Sequence, residues 1–405
     1  MMKRKLLSFA AAAVCALATG AQAQISDGIV KIGVLNDMSG LYSDIGGPGS
    51  LTAAKMAVED YLKATKSTLK VEVVGADHQN KPDVGSNIAR QWYDTEKVDA
   101  IVDVPTSSVA LAISQVTRDK GKIHLNTGAA TADLTGKACS PNTIHWLYDT
   151  CMLANGTGTA VVKTGGSSWF FLTADYAFGH ALERDTEAVV TKNGGKVLGK
   201  VRHPLATQDF SSFLLQAQAS KAKIIGLANA GGDTINSIKQ AAEFGIVQGG
   251  QNLAGLLVFL PDVHALGLEK AQGLIFTETF YWDLNDQTRA WSKRFAAAHG
   301  GKYPSMDQAG VYAVITHYLK AVDAAKTDDG TKITAKMKEM PTDDPLFGKG
   351  TIRQDGRKIH PAYLFEVKKP SESKGPYDYY KLRATIPADQ AFRPLNEGDC
   401  PMIKK

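Results

Sequence analysis

Ile29-Val-Lys-Ile-Gly-Val-Leu35 is a short β-branched run that gives way to a polar, glycine-rich stretch, Asn36 to Gly49. Ser50 to Ala64 follows, with Ala54, Met56, Ala57, Tyr61 and Leu62 as its apolar positions. An apolar run, turn residues and then a helical period read as strand, loop and helix. The unit recurs. Strands are expected at 69–74, 100–104 and 123–126, and helices at 83–95 and 108–118. After Asn142 a second series alternates helices (153–163, 179–192, 210–219, 234–244) with strands (168–172, 196–201, 224–228, 253–259). Alternation of this kind predicts βαβ units and parallel sheets, here in two similar α/β lobes.

The remainder departs from a tandem. A strand at 273–276 leads into long helices at 287–299 and 307–325, and the chain from Gly350 onward reads as β-rich (350–353, 363–367, 377–384). These segments must dock on one lobe or the other, so the chain is expected to cross between lobes more than once.

Length and composition set the class. At 405 residues, 44% hydrophobic and 21% charged, the chain is an ordinary globular protein of two to three domains, not a disordered, collagenous or coiled-coil one. Lys3, Arg4 and Lys5 precede an apolar run, Leu6 to Ala18, and Ala21-Gln-Ala23. This is the pattern of a secretory signal cleaved after Ala23, which implies export to the periplasm. Its removal takes the formal charge from +5 to +2, too little to attract nucleic acid or an anionic membrane. No later stretch reaches the roughly 20 apolar residues of a membrane-spanning helix.

Cys15 lies in the leader and lacks the small residue that precedes a lipoprotein cysteine, so it is read as removed. Cys139, Cys151 and Cys400 remain, in a compartment that permits disulfides. Cys400 sits in a Gly- and Pro-flanked tail that needs tying down. Cys139 with Cys400 is therefore the preferred pair, with Cys139 to Cys151 as the alternative.

The sequence lacks the common catalytic and metal-binding motifs. There is no G-x-S-x-G, H-E-x-x-H, phosphate-loop or C-x-x-C motif, and no two of the nine histidines have the i, i+3 or i, i+4 spacing of a metal pair. No catalytic residue, metal or cofactor is expected. The remaining candidates are loops at the carboxyl ends of strands, where open α/β sheets bind ligands. Pro105-Thr-Ser107-Ser108 and Thr127-Gly-Ala129-Ala130-Thr131 offer hydroxyls and amides suited to a carboxylate, or else simply a helix cap and a tight turn. Aromatics cluster at other loops: Tyr42, Trp146 with Tyr148, Tyr176 with Phe178, and Tyr281 with Trp282. Rigid rings beside loops suit a small-molecule pocket, although most aromatics serve the core. Asn229-Ala-Gly-Gly-Asp233 opens a further helix, and Asp233 there is a ligand contact or an N-cap.

The order of Asn36-Asp-Met-Ser-Gly-Leu-Tyr-Ser-Asp-Ile-Gly-Gly47, Pro105-Thr-Ser-Ser108, Ala129-Ala-Thr-Ala-Asp-Leu-Thr135, Thr173-Ala-Asp-Tyr-Ala-Phe-Gly179 and Gln308-Ala-Gly-Val-Tyr312 resembles the leucine/isoleucine/valine-binding protein family of periplasmic ABC-transporter receptors. The likeness spans nearly the whole mature chain. It implies a type I periplasmic-binding fold: two Rossmann-like lobes, three hinge crossovers and a ligand cleft between them. On that reading lobe 1 comprises 24–145 and 280–340, and lobe 2 comprises 146–279 and 341–405. The resemblance also implies that Ser107, Ser108, Ala129, Ala130 and Thr131 bind a ligand carboxylate. It assigns the second lobe's aromatic to Phe178, where the family has a tyrosine, and the ammonium partner of amino-acid ligands to Asp262. The function expected is a monomeric, non-catalytic receptor delivering a small carboxylate-bearing solute to an inner-membrane ABC permease. The solute is an aromatic or aliphatic organic acid or amide; the alternatives are a branched-chain or other amino acid, or a ligand sensor on the same fold.

Overall fold

The computed structural model describes residues 25–404, so the leader and its cleavage site lie outside it. The first strand, β1 (Val30–Asn36), pairs in parallel with β2 (Val71–Asp77) on one side and β3 (Ala100–Asp103) on the other. With β4 (Ile123–Asn126) and β5 (Thr143–His145) they make a five-stranded sheet of order β2-β1-β3-β4-β5. Its central strands are buried on both faces, which is why they read as unbroken apolar runs. A second parallel sheet, of order β7-β6-β8-β9, holds β6 (Ser168–Ala174), β7 (Lys196–His203), β8 (Ile224–Ala228) and β9 (Asn252–Gly255). Helices connect successive strands in both. Each sheet reverses strand order beside its first strand (β1 and β6), the arrangement that opens a crevice at the carboxyl ends.

The chain crosses three times. Residues 146–149 leave β5 for a helical stretch, 150–163, that contains a π-turn at Ala154–Gly158. Residues 279–285 then leave β10 (Ile275–Glu278) for the helices Asp286–Ala298 and Met306–Ala325. The latter is buried along most of its length and lies against helix Gly47–Thr65, with Tyr312 Oη donating to Asp60 at 2.8 Å and Tyr61 Oη to Asp323 at 2.7 Å. After helix Gly330–Glu339, β11 (Thr342–Asp344), β12 (Gly348–Ile352) and β13 (Lys358–Ile359) form a small antiparallel sheet that meets β5 through a bridge between His145 and Arg357. The last crossing delivers β14 (Ala362–Val367), which pairs antiparallel with β10, and β15 (Tyr380–Ile386), which pairs antiparallel with β14. The tail therefore divides, its first part lying against the first sheet and its second beside the other. Cys139 and Cys400 are disulfide-bonded, with Cα atoms 5.6 Å apart. Among the described residues no helix is long and apolar enough to cross a membrane.

Two expectations need correction. The strand expected at 253–259 ends at Gly255, and 256–259 runs on into helix Leu260–Leu266, which carries proline in its first turn. The β15 strand starts at Tyr380 rather than Tyr377, because Tyr377 adopts φ 65° and turns the chain.

Candidate functional site

Loops from the ends of both parallel sheets converge on one cavity. After β1, the Asp37 carboxylate accepts from the amides of Gly40 (2.7 Å) and Tyr42 (2.8 Å) and from Asn80 Nδ2 (2.6 Å), which fixes where the Tyr42 ring stands. At the end of β3 two consecutive non-glycine residues, Asp103 (φ 82°) and Val104 (φ 63°), take left-handed backbone conformations. For a β-branched residue this is a genuine outlier, of the kind surrounding structure must enforce. It turns the chain into Pro105 and the first turn of helix Ser107–Asp119. The N-cap residue of that helix, Thr106, does not cap it: its hydroxyl donates to Asn80 Oδ1 instead. The helix N-terminus thus keeps uncapped amides and the positive end of its dipole for another acceptor. Ser107 Oγ accepts from the Thr131 amide at 3.2 Å, which leaves its own proton to donate.

After β4, Asn126 clamps the turn by donating to Ala129 O (2.8 Å) and accepting from the Ala129 amide (3.3 Å). Tyr148, on the first crossover, donates to Gly128 O at 2.6 Å and meets Phe259 edge-on at 5.8 Å. From the second sheet, Tyr176 follows β6, and its hydroxyl lies 2.6 Å from that of Tyr42. The two loops are therefore linked across the cleft. Burial is the main cause that pushes both phenols above the ordinary tyrosine range; Tyr176 raises Tyr42 further, whereas the bond to Tyr42 acts the other way on Tyr176 and the Asp233 charge raises it, so both remain protonated at neutral pH.

The cavity is lined by Tyr42, Ile45, Pro105, Gly128, Ala130 and Tyr148 on one side and Tyr176, Phe178, Ala230, Leu257 and Phe259 on the other. Five are aromatic and none is charged. Tyr42, Ala130, Tyr148, Tyr176 and Phe178 are thus brought together. Ser107, Ala129 and Thr131 are buried just behind the wall, and Ser108 is half-buried on the next helical position.

Four expected contributors do not reach the cavity. Trp146 is fully buried under the Lys358 ammonium, 4.1 Å from its ring, in a core near the crossover. Asn229 is spent internally, accepting from Thr234 Oγ1 (2.7 Å) and meeting His203 Nε2 (3.2 Å). Tyr281 stacks on Tyr380 and donates to Tyr377 O (2.8 Å), beside β15. Asp262 caps its own helix by accepting from the Phe259 amide at 2.9 Å, and burial pushes its carboxyl up to about 7. Asp233 is 1% exposed, takes the Ala206 amide on Oδ2 (3.1 Å), leaves Oδ1 without a partner, and is also pushed up to about 7 by burial.

Residues 29–376 match the family model for periplasmic binding proteins. The chain belongs to that family. A periplasmic binding protein of Burkholderia mallei, known from its crystal structure, is 54% identical, covers 93% of this chain with 100% of its own, and superimposes with a TM-score of 0.90. A branched-chain amino acid ABC transporter periplasmic ligand-binding protein of Burkholderia xenovorans is 41% identical over 92% of this chain and 99% of its own, with a TM-score of 0.81. The Leu/Ile/Val-binding protein homolog 6 of Brucella melitensis is 26% identical over 91% of this chain and 94% of its own. The protein is therefore a periplasmic ABC-transporter substrate-binding protein of the Leu/Ile/Val-binding family with the type I fold.

In this periplasmic binding protein the sequence reading passed over Ile45, Ala230, Leu257 and Phe259. Little local marks them: Leu257 and Phe259 belong to an apolar run that reads as core strand, Ala230 is a small residue in a turn, and Ile45 is a lone apolar residue between Asp44 and Gly46. The one available signal was position, since all four follow a strand's carboxyl end.

Proposed function

We propose that this receptor captures a small, mainly apolar carboxylic acid or amide and releases it unchanged to an inner-membrane ABC permease. The reading rests on the cavity lining, which has five aromatic rings and no charged side chain. Apolar walls with few polar groups favour an apolar body with one polar end. The Ser107 hydroxyl and the uncapped helix behind Pro105 supply donors for that end. The receptor acts as a monomer after cleavage behind Ala23. Its first lobe takes 24–145 and 280–340, with 342–359 added because of the His145–Arg357 bridge.

The test is a thermal-shift screen of mature, ligand-stripped protein against benzoate, 4-hydroxybenzoate, cyclohexanecarboxylate, benzamide, leucine, isoleucine and valine. A ligand at 100 times its Kd stabilises by about 2.7 kcal/mol. Acids or amides are expected to shift the transition while amino acids do not. The amino-acid reading is favoured by the description of the 41%-identical Burkholderia xenovorans protein. It would be upheld by a leucine shift that Asp233→Asn abolishes. For whichever acid binds, replacing Ser107 and Ser108 together with alanine is expected to weaken binding by at least about 1.5 kcal/mol, the value of hydrogen bonds to a charged group. Unchanged affinity in calorimetry removes the carboxylate role of this loop.

A further inference from the structure

Directly behind the cavity wall, two carboxyl groups share a fully buried position. Asp103 ends β3 and Asp307 lies in the first turn of helix Met306–Ala325, and both are 0% exposed. The point where a Cβ on Gly128 would stand is 2.8 Å from Asp103 Oδ1 and 2.9 Å from Asp307 Oδ2, and Gly128 itself lines the cavity. Asp103 accepts from Asn36 Nδ2 on one oxygen and from Thr127 Oγ1 (3.2 Å) on the other. Neither oxygen of Asp307 has a donor. The Ser50 hydroxyl, 0% exposed and likewise unpartnered, lies beside Asp103. The groups facing the pair are Asn36 from β1, Ser50 from helix Gly47–Thr65 and Thr127 from the loop after β4, all neutral, with Tyr148 from the first crossover as the further titratable group. Among the described residues no lysine or arginine pairs with either carboxylate.

Two carboxylates that converge on one point of a fully buried site, with no lysine or arginine beside them, do not both stay ionised, so one is held as the acid. The donors around Asp103 suit an acceptor, while bare Asp307 gains a partner by donating its own proton. We propose that Asp307 is a carboxylic acid hydrogen-bonded to an ionised Asp103, and that docking of an anionic ligand at the adjacent wall draws a second proton from water onto the pair. The second step rests on the carboxylic-acid reading of the cavity; the first does not. Burial and coupling to Asp103 raise Asp307 well above the carboxylate range, and Asp103 is pushed up to about 6. A ligand carboxylate beside the pair raises Asp103 further, so the bound form holds more protons than the free form. Affinity for an acid then rises as pH falls from 8, by up to tenfold per unit for one proton, and levels off below about 6. A neutral amide of the same shape shows no such slope.

The first arm needs no ligand. Infrared difference spectra between wild type and Asp307→Asn, at pH 7.5 on the mature protein, should show loss of one carboxylic-acid C=O band, and Asp103→Asn provides a second variant should the first fold poorly. No lost band overturns the proposal. If no band is lost and the melting temperature rises in sodium but not in choline chloride, the pair holds a bound sodium ion instead. The second arm measures Kd for benzoate and benzamide between pH 6 and 8. A slope for benzoate alone supports proton uptake, and a flat profile for benzoate removes it. If no acid or amide binds at any pH, the function proposed above fails and proton uptake falls with it, whereas the shared proton is judged by the infrared band alone.

Discussion

Arg357→Ala is expected to destabilise the protein by about 3–5 kcal/mol, measured as a lower urea midpoint at unchanged m-value. Arg357 is 0% exposed and sits where the tail meets the first crossover. Its guanidinium donates to Leu147 O, to Tyr148 O at 3.3 Å and to Lys358 O at 3.0 Å, approaches Asp149 Oδ2 at 3.5 Å, and lies 4.7 Å over the Phe392 ring. Burial lowers its pKa to about 10, so it stays charged at neutral pH. Removing it leaves the buried Tyr148 O without this donor, takes from Leu147 O one of two donors, the other being His360 Nε2 at 3.1 Å, leaves the buried Asp149 carboxylate without its counter-charge, and opens a void beneath Phe392. A desolvated group left unmet costs more than the bond itself is worth. The effect exceeds what a surface arginine would give, where losses fall to 1 kcal/mol or less. A loss below about 1 kcal/mol would mean that the crossover is held by the His145–Arg357 backbone bridge and the packing around Trp146 instead.

The same region shows why the sequence reading was uneven. The parallel strands were legible because both their faces are buried, so β1, β3, β4 and β8 announce themselves as apolar runs between glycine-rich turns. Arg357 and Lys358 were not legible as core. Two consecutive cations after an Asp-Gly turn read as a solvated hairpin, and only tertiary packing supplies the carbonyls and rings that accept them. Helix Leu260–Leu266 was missed because the apolar run before it continues across the helix start, so periodicity gave no boundary. In the cavity, Tyr42, Tyr148, Tyr176 and Phe178 were legible from loop position plus ring chemistry. Tyr281 met the same two criteria and failed, since the tail strands β14 and β15 cover it. Loop position therefore identifies an end of the sheet, but a later segment of chain decides whether that end stays open.

Gly231→Val is expected to weaken ligand binding at least a hundredfold while leaving the fold intact. Gly231 precedes helix Gly232–Glu243 with φ 58°, and a Cβ there would stand 2.8 Å from Leu41 O and 3.0 Å from Tyr42 Cδ1. Both neighbours belong to the loop after β1, on the other side of the cleft. In a separated arrangement a side chain at 231 meets only the strain of its own backbone, φ 58° and ψ −132°, a glycine-favoured conformation. With the lobes together it also meets a backbone oxygen that has no room to yield, at the contact where the Gly232 amide approaches Leu41 O (3.5 Å) and Tyr42 meets Tyr176. The substitution thus penalises the closed arrangement specifically. Apparent affinity falls by the fraction of molecules able to close, so a hundredfold loss corresponds to about 2.7 kcal/mol against closure. Gly250→Ala is the matched control: its φ is 93° with nothing within 4 Å, so it carries the backbone penalty without the cross-cleft contact. It should lose stability and keep its Kd. Small-angle scattering separates the explanations, because Gly231→Val should retain the larger radius of gyration at ligand concentrations that compact the wild type. If both glycine variants bind equally well, the Leu41–Gly231 contact is not part of the ligand-bound state, and the Tyr42–Tyr176 hydrogen bond alone must hold the cleft shut.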